Sequence, residues 1–256
     1  MNTVGVEGRQ EEQSAAAGVA DKLNTMILSE MTPGSSLPSE AELASRYEVS
    51  RLTIREAVKM LAGRGLLDLG RGRRAIVRQP DGSAFSDFLT SLIKNDPKGL
   101  FDLIEVRLSL EVQSATLAAK RAPRAALAAM ESAQQGMREA LAGVLAGDES
   151  GELKFHTYDI AFHEALALAS GNRVLNFMFE AMYGPLQESF FISRRGHALR
   201  GHTLENTVQA HQRILECVQA GNGRAAAEAM RLHLKDTERD IRAALSTLSV
   251  YPGSIR

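Results

Sequence analysis

Val19, Leu23, Met26 and Ile27 recur at helical spacing and predict a first helix, which "MTPGSSLPSE" ends with Pro33, Gly34 and Pro38. Ser39 followed by Glu42 is a capping box, and it opens a short helix carrying Leu43, Ala44 and Tyr47. Ser50 caps a third helix whose apolar face is Ile54, Ala57, Val58 and Leu61, and "GRG" closes it. Next, "LLDL" and "AIV" flank "GRGRR", which reads as two short strands joined by a glycine-containing turn. Three helices and a hairpin in this order predict a winged helix-turn-helix.

Pro80, Asp81, Gly82 and Ser83 then break both periodicities and mark a boundary. Beyond it the pattern is helical throughout. Phe85, Phe88, Leu89 and Leu92 share one face, residues 98–121 form a long helix, and Pro123 starts another that runs to the "AGDESG" loop. The helix containing "YDIAFHEALALA" ends at "SGN"; further helices are expected over roughly 173–198, 203–219 and 223–247. The expected organisation is a disordered 1–13, a winged helix-turn-helix over 14–80, a linker at 81–84, an all-α antiparallel bundle over 85–248 and a tail at 249–256. The fold class is mainly α.

Composition supports this: charged residues make up 24% and aromatics only 5% with no Trp, which favours helices over a β-sandwich. One cysteine, Cys217, excludes an internal disulfide or a multi-cysteine metal site, and with no signal-like or membrane-spanning run the expected compartment is a reducing cytoplasm. Net charge is −1, yet nine basic residues face three acidic ones between Arg46 and Arg78, a local net of +6. That asymmetry points to nucleic acid. Arg51, Arg55 and Lys59 follow one another at i, i+4, i+8, apart from the apolar face, and the first two lie at the helix end that enters a major groove. Arg71, Gly72, Arg73 and Arg74 put charge on the wing, where glycine permits a tight turn against phosphates or the minor groove.

The stretch "SSLPSEAELASRYEVSRLTIREAVKMLAGRGLLDLGRGRRAIV" resembles the DNA-binding domain of the GntR family of bacterial transcription regulators, and the helical remainder resembles the FadR-type subfamily with its FCD effector-binding domain. The resemblance covers about residues 15–245 and rests on "LPSE", "VSR" and "IREA" at their spacing. It implies a ligand-responsive regulator, in most such proteins a repressor, that binds a short palindromic operator as a dimer through Arg51, Thr53, Arg55 and wing Gly72. Many relatives carry Arg directly after "LPSE", where this chain has Ala41. Leu52 replaces a residue that is often small and polar.

Asp159 and His163 stand four apart on one helical face, so they point at least partly inward. His211 and His233 lie on the inward stripes of the last two helices, each eleven residues from Asn222 in the intervening turn. In an antiparallel hairpin they therefore sit level, about 15 Å from the loop. Three imidazoles and a carboxylate suit Zn²⁺, Ni²⁺, Mn²⁺ or a similar divalent cofactor ion; ordinary satisfied histidines are the bland alternative. The resemblance adds that Asp159, His163, His211 and His233 occupy the ligand positions of metal-binding FCD domains, with His156 a possible substitute ligand. It also implies that Arg107 faces the cavity and binds the carboxylate of a small effector; the alternative for Arg107 is a helix-surface ion pair with Glu105 or Glu111. Arg194, Arg195 and Arg200 are weaker candidates, in a mobile loop or a solvated patch. Two rival functions remain: a regulator that senses the metal itself, and a metal-dependent hydrolase with Glu164 as base and the basic domain as a tether. No catalytic constellation beyond those ligands is evident, so the chain is not read as an enzyme.

Overall fold

A computed structural model describes residues 4–70, 72–79, 81–94 and 98–248. Arg71 of the expected wing and the expected tail lie outside the described residues. The chain divides into two compact units, residues 1–84 and 85–256.

In the first unit, α1 (Val4–Glu30) packs against α3 (Arg51–Gly63), and α3 against α2 (Glu40–Tyr47). Helix α1 begins at Val4, inside the segment expected to be disordered. Val19, Leu23, Met26 and Ile27 meet Leu43, Ile54, Ala57 and Leu61 in one core, so the faces predicted for three separate helices are three walls of one interior. The capping box forms as expected: the Ser39 amide donates to Glu42 Oε2 at 2.7 Å, and the Glu42 amide donates back to Ser39 Oγ at 3.2 Å. Glu48, with φ 55°, makes the tight reversal between α2 and α3 in the left-handed region, a conformation that costs a side-chain-bearing residue about 1–2 kcal/mol. Ser50 then caps α3 by accepting from the Thr53 amide at 3.0 Å. Strands β1 (Leu67–Asp68) and β2 (Ile76–Val77) pair antiparallel, Leu67 opposite Val77. The 34–37 segment is tied to β2 and its approach, with the Leu37 amide donating to Ala75 O and the Val77 amide to Ser35 O, both at 2.8 Å.

The described elements of the second unit are all helices: α4 (Ser83–Lys94), α5 (Lys98–Arg121), α6 (Arg124–Leu145), α7 (Gly151–Ala169), α8 (Arg173–Ala181), α9 (Tyr183–Leu199), α10 (Leu204–Gln219) and α11 (Gly223–Leu248). Met130, Met137, Phe155, Phe162, Leu166, Ile214, Met230 and Leu234 fill its centre, drawn from α6, α7, α10 and α11. Close approach depends on glycine at two helix crossings. A Cβ on Gly136 of α6 would lie 2.4 Å from the Tyr158 ring of α7, and one on Gly196 of α9 would lie 1.7 Å from the Asp240 backbone oxygen of α11. Among the described residues, no helix is long and apolar enough to cross a membrane.

Candidate functional site

Helix α3 buries Ile54, Ala57 and Leu61, and that packing turns Arg51, Leu52, Arg55 and Lys59 outward together. Arg55 is held by a two-pronged ion pair with Glu40 of α2, Nε to Oε1 at 3.1 Å and Nη2 to Oε2 at 2.8 Å. Lys59 pairs with Glu56 at 2.9 Å. Pairs this exposed contribute little to stability, so DNA phosphates can compete for both cations. Thr53 is half-buried and its hydroxyl lies 2.8 Å from that of Ser50. On the wing Gly72 takes φ +69° with open space around it, Arg73 reaches Asp68 at 3.0 Å, and Arg74 is exposed. Ala41 and Leu52 are exposed too, Leu52 by 54% at the first turn of α3.

The second unit brings its histidines together. His163 of α7, His211 of α10 and His233 of α11 each offer a ring nitrogen within 4.8 Å of the others. The equal spacing about Asn222 is realised: the His211 and His233 rings are 4.5 Å apart. Asp159 Oδ1 lies 3.4 Å from His211 Nε2, at the partly open edge of the cluster.

The tautomers are set from behind. His163 Nδ1 abuts the buried carboxylate of Glu111 on α5, and His211 Nδ1 lies 2.9 Å from the Thr207 carbonyl oxygen. Both neighbours only accept, so both Nδ1 atoms carry a hydrogen and the two rings turn Nε2 toward each other, 3.1 Å apart. Two such nitrogens meet across a shared cation, a proton or a metal ion; carboxylate or carbonyl acceptors behind imidazole ligands are the usual support of a metal shell. Burial drives the His211 pKa down to about 4, against the opposing pull of Asp159, and drives that of His233 well below the usual value, with His211 and His163 adding to the effect. Both rings are thus unprotonated near neutrality, as metal ligands must be. The residues fit a divalent ion of borderline softness.

Arg107 lines the cavity that opens from this cluster, of ≈ 80 Å³, together with His156, Asp159, Arg194 and His233. It also makes the ion pair with Glu111, Nε to Oε1 at 2.5 Å, but that pair is buried, not on the helix surface. Arg107 therefore lines the cavity and is ion-paired at the same time. Burial alone would raise the Glu111 pKa; Arg107 and His163 overcome it and hold the carboxyl at about 2. Glu111 is the residue that sequence reasoning undervalued. Its signal was an acid at i+4 from Arg107 on the face of Leu103, Ile104, Ser114 and Ala115.

Arg194 and Arg195 belong to helix α9 rather than to a loop, and Arg194 lines the cavity while Arg195 is exposed. Arg200 follows the helix and binds Asp236 at 2.7 Å and Asp240 at 2.5 Å instead of solvent. His156 is buried outside the three-histidine cluster. Glu164, the base a hydrolase would need, is exposed and absent from the cavity wall. A second group, His197, His202, Asp236 and Asp240, also gathers metal-type atoms, but His197 faces two acceptors, Asp240 Oδ2 and Thr203 O, both at 2.9 Å. It has no lone pair to give, and Arg200 already neutralises the acids.

The model of the bacterial regulatory proteins of the gntR family matches residues 15–77, and that of the FCD domain matches residues 102–236. The HTH-type transcriptional regulator LutR of Bacillus subtilis is 32% identical over 82% of this chain and 92% of its own length. The Glc operon transcriptional activator of Escherichia coli K12 is 27% identical over 91% of both chains. Among solved structures, a Streptococcus agalactiae GntR superposes with a TM-score of 0.63 at 30% identity, over 88% of this chain and 99% of that one. The chain belongs to the GntR family of transcription regulators, with a winged helix-turn-helix followed by an FCD domain.

Proposed function

We propose that the protein is a ligand-responsive regulator that binds a palindromic operator as a homodimer and senses a small organic acid at a divalent ion, zinc, nickel or manganese, held by Asp159, His163, His211 and His233. Arg51, Thr53, Arg55 and Lys59 read or contact DNA, with Arg71, Gly72, Arg73 and Arg74 on its backbone. The observation that carries the sensor half is the pair of Nε2 atoms directed at one point by Glu111 and the Thr207 carbonyl. When bound, the ion supplies an anchor for a carboxylate. Arg107 adds a positive charge on the same wall, its Nε engaged by Glu111 and the rest of its fork free to meet the acid.

Repression is the expected direction; a relative named as an activator shows that the family's architecture also serves activation. Where the operator lies relative to the promoter decides between them. A metal-sensing regulator differs from an acid sensor in one respect: added or chelated metal alone would then switch operator affinity. The test is fluorescence anisotropy of an operator duplex with the full chain, titrated with short carboxylic acids before and after chelation. An acid sensor changes operator affinity with acid only while metal is present. No response to any acid, together with a response to metal alone, would replace this reading by the metal-sensing one.

A further inference from the structure

Helix α3 carries a large apolar side chain that its own unit does not use. Ile54, Ala57 and Leu61 are fully buried in the core of the first unit, whereas Leu52 is exposed and takes no part in that core. At about 3.6 residues per turn, Leu52 and Leu61 stand on opposite sides of the helix, and Arg51, Leu52, Arg55 and Lys59 share an arc of about 100°. A lone exposed leucine means nothing by itself. This one stands in the first turn of α3, the end of a recognition helix that meets base edges, with Arg51 directly before it and Arg55 one turn after.

The polar groups beside it are held in place. The Thr53 hydroxyl lies 2.8 Å from that of Ser50, and the Arg55 guanidinium is clamped by the two oxygens of Glu40. Leu52 adds neither a donor nor an acceptor, so neither a phosphate nor a polar base edge gains from meeting it. The major groove displays one apolar feature, the C5 methyl group of thymine.

We propose that Leu52 is a specificity-determining residue that packs on the C5 methyl of a thymine in the operator, next to the bases met by Arg51 and Arg55. This rests on the reading of α3 as the helix that enters the major groove. Leu52 and Arg55 are three residues, about 4.5 Å, apart along the helix axis, and base pairs stack about 3.4 Å apart, so the thymine lies within one or two base pairs of a base that Arg55 contacts. Contact takes the methyl and the leucine tip out of water together. Cytosine in that place offers a bare C5–H and, beside it, an amino donor that a leucine cannot answer, so the same side chain that selects thymine rejects its pyrimidine rival.

The test is selection by the full chain from a randomised duplex library, followed by anisotropy titrations of the enriched duplex in which each thymine in turn is replaced by deoxyuridine, which lacks only the C5 methyl. For the wild type, one such replacement near the guanines is expected to weaken binding by about fourfold for each methyl removed, which is about 0.8 kcal/mol. With 5-methylcytosine at that position, binding should be tighter than with cytosine, because the methyl returns to the same place in the groove. Leu52→Ser should bind the thymine and deoxyuridine duplexes alike and keep the preference for guanine at the neighbouring positions. Wild-type affinity that is indifferent to deoxyuridine at every position, or a dependence on the methyl that Leu52→Ser retains, would overturn the assignment while leaving base reading by Arg51 and Arg55 standing. If no sequence is enriched, base reading by α3 itself fails, and the role of Leu52 with it. The methyl is removed from the DNA, so the wild-type titrations decide even if Leu52→Ser does not fold.

Discussion

Replacing Glu111 by glutamine strips the buried Arg107 guanidinium of its counter-charge and His163 of the carboxylate that holds its Nδ1 hydrogen. Leaving a charge uncompensated inside a protein costs about 3–5 kcal/mol, so Glu111→Gln should lower the denaturation midpoint of the helical unit sharply and loosen any bound metal. The pH dependence has a definite sign. A carboxyl depressed from 4.5 to about 2 stabilises the fold fully above its unfolded value, and that contribution fades as pH falls through the folded one. Urea melts of wild type should therefore lose stability between those limits, and the variant should lack that part of the slope. On the DNA face, Arg51→Ala should cost about 1–3 kcal/mol on a specific operator and less on a random duplex, whereas Arg74→Ala should weaken both and reduce the salt slope by about one. Equal losses on both duplexes would take Arg51 out of base reading. Asp159, His163, His211 and His233 were legible in the sequence because helical periodicity and distance from a turn are one-dimensional quantities. The function of Glu111 was not, since an Arg and a Glu four apart look identical on a solvated face and in a core.

Helices α9 and α11 touch through backbone at Gly196, where a methyl group would overlap the Asp240 carbonyl. Gly196→Ala must push the helices apart and should destabilise the unit by about 1–3 kcal/mol or more, read in thermal melts. The same crossing carries a proton. Burial lowers the His197 pKa, but hydrogen bonds to Asp240 and the Thr203 carbonyl, with Asp236 nearby, prevail and raise it overall. A raised histidine pKa contributes stability in full below the unfolded value near 6.5, and that stability is lost as pH climbs through the folded one. Arg200, Asp236 and His202 face the same group. Stability of the wild type should decline as pH rises above 6.5, and His197→Gln should flatten the decline; a slope that survives the substitution would assign it elsewhere. Element order was legible throughout because capping residues and prolines punctuate the chain. The setting of Arg194 and Arg195 was less legible: helices were expected over roughly 173–198, yet "SRRGHALRGH" has no apolar periodicity and also read as a mobile loop or a solvated patch, and the packing of Gly196 and His197 keeps both arginines within α9.

For the whole molecule, a dimer must pass its two-fold symmetry to the operator. Phe85, Phe88 and Leu92 form a strip on α4 that is 56%, 64% and 58% exposed, an apolar surface large enough to seek a partner. Sedimentation at micromolar concentration should show a dimer, and Phe88→Asp should shift it toward monomer and weaken a palindromic footprint. A wild-type monomer with a non-palindromic footprint would refute the arrangement. Whether the converging imidazoles hold a divalent ion is decided by elemental analysis of the purified full chain beside His163→Ala, His211→Ala and His233→Ala. Close to one zinc, nickel or manganese ion per wild-type chain is expected, with a marked loss in each variant and the operator response to acid lost in step. A wild type that takes up no metal, or three variants that each retain a full equivalent, would show that these histidines are polar packing and hold no ion.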